Sequence, residues 1–248
     1  ELPDTLNNDN LENSNLRFIN AIEMDPTDPD ILYQASNRGV QRLELASDDS
    51  ARWVKGSKNV GTISALGVTD ERPHTVYLGR ISSSGAVFRL DSSHVSDDLT
   101  DLVDLDPNND LPSVSFFQTL TATCVAVDPS DAAHVVVTYG NFGVRSVYET
   151  RNALDAAPSW QEIEGDLPDI PVNWALVHPN NPDVIYLATD MGIFYTNKVN
   201  GSSTEWLPCT KFPFTRTDMI RVREADLRVV VGTHGRGIWQ GTLNASGT

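Results

Sequence analysis

The sequence predicts an all-β chain of four-stranded antiparallel sheets stacked radially, about five of them in 248 residues. Three observations predict it. Short apolar runs bounded by Asp, Pro, Asn and Gly recur along the chain, and the 3.6-residue period of amphipathic helices is nearly absent. The runs repeat: Ile19 to Tyr33, with Asp25-Pro26 in its middle and Gly39 after it, matches Val172 to Tyr186, with His178-Pro179 and then Gly192. Counted from the tyrosine position, the units fall at 33, 77, 137, 186 and 230, at intervals of 44, 60, 49 and 44 residues. A period in the forties with several short strands is the signature of a propeller blade. One such sheet cannot bury both faces alone, whereas stacked sheets can.

The expected blades are 18–60, 61–120, 121–170, 171–214 and 215–243, with 1–17 a linker from a preceding blade. In the best-formed unit, strand a runs from Trp174 to Val177, strand b from Val184 to Ala188 and strand c from Ile193 to Thr196. A more variable strand d follows, often opening on Trp. The a–b turns are rich in Asp, Asn and Pro, which preset φ or bond the backbone two residues on. Gly39, Gly85, Gly143, Gly192 and Gly237 are expected in or just after b–c hairpins, where φ > 0 is often needed.

Charge and composition exclude several classes. Asp and Glu number 34 against 18 Lys and Arg, a net charge of -16. Such a field repels phosphate backbones and no basic stripe offsets it, so nucleic acid is not an expected partner. No window approaches the ~18 apolar residues of a spanning helix, so membrane insertion is not expected. Cys124 reads as a small core residue, and two distant cysteines make neither a disulfide framework nor a zinc site. No metal-ligand spacing occurs among the five histidines. No cofactor is expected; the Asp-rich turn from Asp104 to Asp110 could hold structural Ca²⁺, although it lacks the EF-hand pattern.

A second motif sits between strands c and d. Asp48 precedes Trp53 by five residues, and Asp155 precedes Trp160 by the same spacing. Both resemble the Asp-box of the sialidase-type (BNR) repeat, with Ala in place of the leading Ser and Ser50 or Ala157 in place of the Gly. With Glu164-Gly-Asp-Leu-Pro168, Ala188-Thr-Asp-Met-Gly-Ile-Phe and Gly232-Thr-His-Gly-Arg-Gly-Ile-Trp, the chain resembles the BNR/sortilin/xyloglucanase group of propellers from large secreted bacterial proteins. The resemblance implies a structural role for Asp48, Trp53, Asp155 and Trp160, away from the ligand face. It also implies an extracellular or cell-surface location.

In this architecture the d–a and b–c loops share one face, which usually carries ligands. The b–c loops hold Arg38, Arg80, Asn141, Asp190, His234 and Arg236. Three arginines from different blades could clamp a carboxylate or sulfate, or could each pair with a nearby Asp. Thr189-Asp190-Met-Gly192 resembles the segment that carries a catalytic Asp in the xyloglucanase-like family, without its second Gly. A glycosidase needs a second carboxylate, for which Asp169 and Asp218 are within reach of that face. No Arg-Ile-Pro segment of the sialidases occurs.

The expected function is therefore a non-catalytic scaffold that binds a glycan or a protein. A polysaccharide-active glycoside hydrolase, with this chain forming part of the cleft, is the alternative. Leu2-Pro3-Asp4 resembles Leu167-Pro168-Asp169, and Trp239 to Leu243 reads as a strand c with almost nothing after it. The chain thus reads as the C-terminal part of a six- to eight-bladed propeller, a self-contained five-bladed ring being the alternative. An upstream segment or a second chain is expected to cover the edge from Ile238 to Leu243.

Overall fold

The computed structural model describes residues 20–45, 51–54, 59–70, 73–94, 99, 101–115 and 117–243. The 1–17 linker, Asp48 and the side chain of Trp53 lie outside the described residues. The first sheet is β1 (Ile22–Met24), β2 (Ile31–Ala35), β3 (Val40–Leu45) and β4 (Ala51–Val54), paired in that order. The second is β5 (Ile63–Val68), β6 (Val76–Ser82), β7 (Val87–Leu90) and β8 (Leu102–Asp104). The third is β9 (Leu120–Asp128), β10 (Asp131–Tyr139), β11 (Val147–Thr150) and β12 (Gln161–Glu162). The fourth is β13 (Val172–His178), β14 (Asn181–Thr189), β15 (Gly192–Thr196) and β16 (Leu207–Pro208). The fifth has three described strands, β17 (Thr217–Arg223), β18 (Arg228–Thr233) and β19 (Ile238–Thr242). All pairings between these strands are antiparallel.

The second, third and fourth sheets bury both faces because their strands alternate between two neighbours. Tyr33, Ala35 and Val40 of the first sheet pack on Ile63, Val76 and Leu78 of the second. Tyr77 and Val87 pack on Val125, Val137 and Tyr139 of the third. The pattern recurs between the third and fourth and between the fourth and fifth sheets. At ~25 cal/mol per Å² of apolar surface, burial at these four interfaces stabilises the stack of blades.

Two polar stitches repeat between blades. Arg42, buried on β3, donates to the Ser93 carbonyl of the second blade. Arg89, its counterpart on β7, donates to the Ala153 carbonyl of the third at 2.6 Å and to the Asp155 carbonyl at 3.0 Å. Tryptophans reach the other way. Trp160 Nε1 donates to the Leu105 carbonyl at 2.8 Å and its backbone N–H to Asp110 at 3.2 Å. Trp206 Nε1 donates to the Ile163 carbonyl at 3.0 Å and its N–H to Asp166 at 2.7 Å. Each stitch satisfies a buried carbonyl that the ladder leaves over.

Two expectations need correction. The tyrosine position of the third blade is Val136: it pairs with Glu149 as Tyr186 pairs with Tyr195, and it faces the fourth blade while Val137 faces the second. A one-residue offset exchanges the two faces. Gly39, Gly143, Gly192 and Gly237 have φ of 148°, 73°, 105° and 72°, as the hairpins require, but Gly85 does not have a positive φ. Its constraint is space, since a Cβ there would stand 2.5 Å from the Tyr139 hydroxyl and 2.9 Å from Pro112 Cδ.

Candidate functional site: the mouth of the central channel

The first strands of all five blades line a common channel. Toward the d–a and b–c loops it opens into a cavity of about 570 Å³, whose polar groups include Ser64, Thr121, Thr123, Asn173, Arg216 and Asp218. Toward the a–b turns lies a second cavity of about 230 Å³. Between them Arg221 of β17 pairs with Glu23 of β1, and its guanidinium lies 4.6 Å from the centre of the Trp174 ring. A cation held by both a carboxylate and an aromatic face is a firm plug, and it ties the fifth blade to the first.

Three of the rim hydroxyl and amide groups bond between blades. Ser64 Oγ donates to the Ala122 carbonyl at 2.6 Å, and Thr123 Oγ1 to the Val172 carbonyl at 2.6 Å. Asn173 Nδ2 donates to Asp190 Oδ1 at 3.0 Å and to the Thr217 carbonyl at 3.0 Å. Asp190 therefore stands at the rim, in the turn between β14 and β15. Arg216 lies between it and Asp218, with Nε 2.8 Å from Asp218 Oδ1 and 3.7 Å from Asp190 Oδ1. Asp169 is engaged elsewhere, accepting the Gly143 N–H at 2.8 Å.

The other candidate residues are dispersed. Arg80 lies on β6, which extends to Ser82 because Ile81 and Ser82 pair with Thr121 and Leu120 of β9. It donates to the Val60 carbonyl and to Ser84 Oγ, both at 3.3 Å, and packs over Phe88. Arg38 is exposed in the β2–β3 turn, and His234 and Arg236 are exposed in the β18–β19 hairpin. Asn141 ties two loops together, accepting the Thr121 N–H and donating to the Thr119 carbonyl. At the c–d loop, Asn152 caps the chain by accepting the Ser159 N–H, and it donates to Asp155. In the turn from Asp104 to Asp110, Asp106 accepts the N–H groups of Asp110 and Leu111, and Asp104 accepts that of Asp106. Among the described residues no three His, Cys, Asp or Glu side chains cluster as metal ligands.

Sequence reasoning missed two features. Phe117, Phe142 and Phe214 are 95%, 68% and 72% exposed, and each belongs to a d–a or b–c loop of the channel-mouth face. Their signal was phenylalanine placed inside segments that read as loops. The second is a buried charge group: His134 Nδ1 lies 2.9 Å from Asp128 and Nε2 3.2 Å from Glu149. Burial pulls the His134 pKa down, but hydrogen bonds to Glu149 and Asp128 outweigh it and leave it raised. In the second blade, His74 meets Asp25 of the first blade's a–b turn at 3.1 Å. Asp25 and Asp128 hold the same place before Pro in their units, which was the available clue.

No family model and no curated protein matches the chain. Solved structures do. The chain is similar to a gluconolactonase of Xanthomonas campestris, at 12% identity and a TM-score of 0.52 over 85% of this chain and 67% of that one. It is similar to the β-propeller domain of Swd1 (Cps50) of Myceliophteria thermophila, at 9% identity and a TM-score of 0.57 over 91% and 65%. A third similar structure is a putative 6-phosphogluconolactonase of Bacteroides uniformis, at 13% identity and a TM-score of 0.57 over 92% and 68%. The fold is a β-propeller. The chain spans about two thirds of the length of these propellers, and likeness at such identities carries the architecture alone.

Proposed function

We propose that the chain is a non-catalytic propeller module of the BNR type that binds a carbohydrate chain on its channel-mouth face. The observation that carries this reading is the exposure of Phe117, Phe142 and Phe214 on loops of the face where the channel opens through a mouth furnished with hydroxyl, carboxamide and guanidinium groups. Exposed aromatic rings on one face mark an interaction surface. Flat apolar rings on a face that also carries hydrogen-bonding groups suit the apolar faces and hydroxyls of sugars.

Arg216 speaks against the hydrolase alternative. Glycoside hydrolysis needs two carboxyls facing each other across the scissile bond. The Arg216 guanidinium, with Nε 2.8 Å from Asp218 and 3.7 Å from Asp190, stands in the space between those two carboxylates.

The test is a titration of the intact chain with neutral plant and algal oligosaccharides by calorimetry. Binding is expected, falling at least ten-fold in Asn173→Ala and in the double variant Phe142→Ala/Phe214→Ala with the fold unchanged by circular dichroism. Hydrolysis of a polysaccharide that disappears in Asp190→Asn would overturn the reading, as would a full panel without binding.

A further inference from the structure

The stitch from strand d to the preceding blade has a strict geometry. Its acceptor is the first residue after strand d of the preceding blade: Leu105 after β8 for Trp160, and Ile163 after β12 for Trp206. In both places the acceptor residue's own N–H bonds back to strand c, from Leu105 to Val87 and from Ile163 to Val147. The fourth blade repeats this arrangement at Cys209, the first residue after β16, whose N–H bonds the Ile193 carbonyl at 2.8 Å. The fifth blade has no fourth strand among its described residues, so no tryptophan of a strand d reaches Cys209. The Cys209 carbonyl accepts the Phe212 N–H at 3.1 Å and retains a second lone pair.

A cavity of about 260 Å³ stands at this place, lined by Cys209, Lys211 and Phe212 of the fourth blade and by Trp239 of the fifth. Trp239 is 40% exposed, whereas its counterparts Tyr148 and Phe194 are buried at 7% and 8% beneath Trp160 and Trp206. All five residues of β19 are exposed. Its outward backbone groups are set by register: Gln240 pairs with Val230 as Tyr195 pairs with Tyr186, and Tyr195 is the residue that pairs with Leu207 of strand d. Lys211 lies in the cavity wall, and Arg228, opposite Thr242 in register, flanks the far end of the strand. Arg228 faces Asp226 at 4.0 Å, so in a chain of net charge -16 the cation that the cavity itself offers is Lys211.

We propose that the β19 edge and the cavity beside Trp239 accept an extended, acidic, tryptophan-bearing strand from polypeptide outside residues 1–248. The strand runs antiparallel to β19, its tryptophan fills the cavity over Trp239, and its indole N–H donates to the Cys209 carbonyl. Strand addition supplies affinity through the backbone, and the aromatic pocket supplies selectivity. The inference does not rest on the carbohydrate reading, which concerns the channel mouth.

The probe is a fluorescein-labelled peptide of residues 159–168, the chain's own strand d with its acidic turn, titrated with the intact chain and followed by anisotropy. Saturable binding is expected, at least ten-fold weaker for the peptide carrying Trp160→Ala. Gln240→Pro in the chain removes one outward N–H and is expected to abolish binding with the thermal midpoint little changed, since edge strands tolerate proline. Lys211→Glu is expected to weaken it at least three-fold. Absence of binding to the intact chain overturns the proposal. If binding appears only after deletion of residues 1–19, that segment is the occupant and the proposal fails. A concentration-dependent dimer abolished by Gln240→Pro assigns the edge to a second copy, and the proposal fails again.

Discussion

The hydroxyl of Tyr139 donates to the Gly85 carbonyl at 2.5 Å, across the junction of the second and third blades and directly over the glycine's missing side chain. A Cβ at position 85 would stand 2.5 Å from that hydroxyl, closer than the two atoms can approach. Gly85→Ala is expected to cost about 1–3 kcal/mol by overpacking. Tyr139→Phe alone costs about 1 kcal/mol for the lost hydrogen bond. The double variant should lose less than the sum, as the two changes relieve one clash. Urea denaturation with an unchanged m-value measures all three, and strict additivity would show that the contact is not shared.

The inter-blade tryptophans give a graded test. Trp206→Phe keeps most of the ring packing but strands the Ile163 carbonyl, an expected loss of about 1–3 kcal/mol. Trp206→Ala also opens a cavity in the interface with the third blade, and about 3–5 kcal/mol is expected. Equal losses for the two variants, read from denaturation midpoints, would mean that the hydrogen bond contributes everything and the packing nothing.

His134 should make stability depend on pH. Its folded pKa is raised because the hydrogen bonds to Glu149 and Asp128 overcome the downward pull of burial. A raised value contributes stability that is complete below the unfolded value of 6.5 and is lost as pH rises through the folded value. Unfolding free energy should therefore decline as pH rises above the unfolded value and through the raised folded one, and His134→Gln should flatten that decline while lowering stability at the acidic end. A variant whose slope matches the parent's would remove His134 as its source.

A carboxyl pair at the opposite end of the channel works in the same direction. Asp70 and Glu224, from the a–b turns of the second and fifth blades, are hydrogen-bonded to each other, and burial raises the pKa of both. Their stabilising contribution is present below the ordinary carboxylate range and is lost as pH climbs through the raised values. Glu224→Gln should raise the thermal midpoint at neutral pH and leave it unchanged near pH 3, within the discount due to an exposed group. A lower midpoint at neutral pH would show that the ionised pair is tolerated.

The repeat was legible because blade spacing is written in turn residues: Asp25-Pro26 and His178-Pro179 mark a–b turns, and Gly39, Gly192 and Gly237 mark hairpins that need φ > 0. The register of the third blade was misread by one residue, since Val135, Val136 and Val137 are chemically alike and no tyrosine singles one out. The sequence puts Asp190 in a b–c loop, but its partner Arg216 comes from another blade, a distance in sequence that spacing rules do not span. Phe117, Phe142 and Phe214 were passed over for the converse reason: sequence patterns read an aromatic residue as core, and only the loop geometry exposes it.

The two backbone pairings between β6 and β9 have a consequence of their own. Elsewhere neighbouring blades meet chiefly through side chains, with single backbone bonds such as those from Ile63 N–H to the Ser36 carbonyl and from Asp166 N–H to the Thr204 carbonyl, whereas here two sheets share a ladder. The second and third blades therefore behave as one rigid plate in slow opening motions, with amide exchange from their cores tending toward a common free energy. The remaining junctions are the joints at which the ring breathes. Any widening of the channel is thus asymmetric, taken up on the side of Arg221 and Glu23 rather than on the side of Thr121 and Ile81.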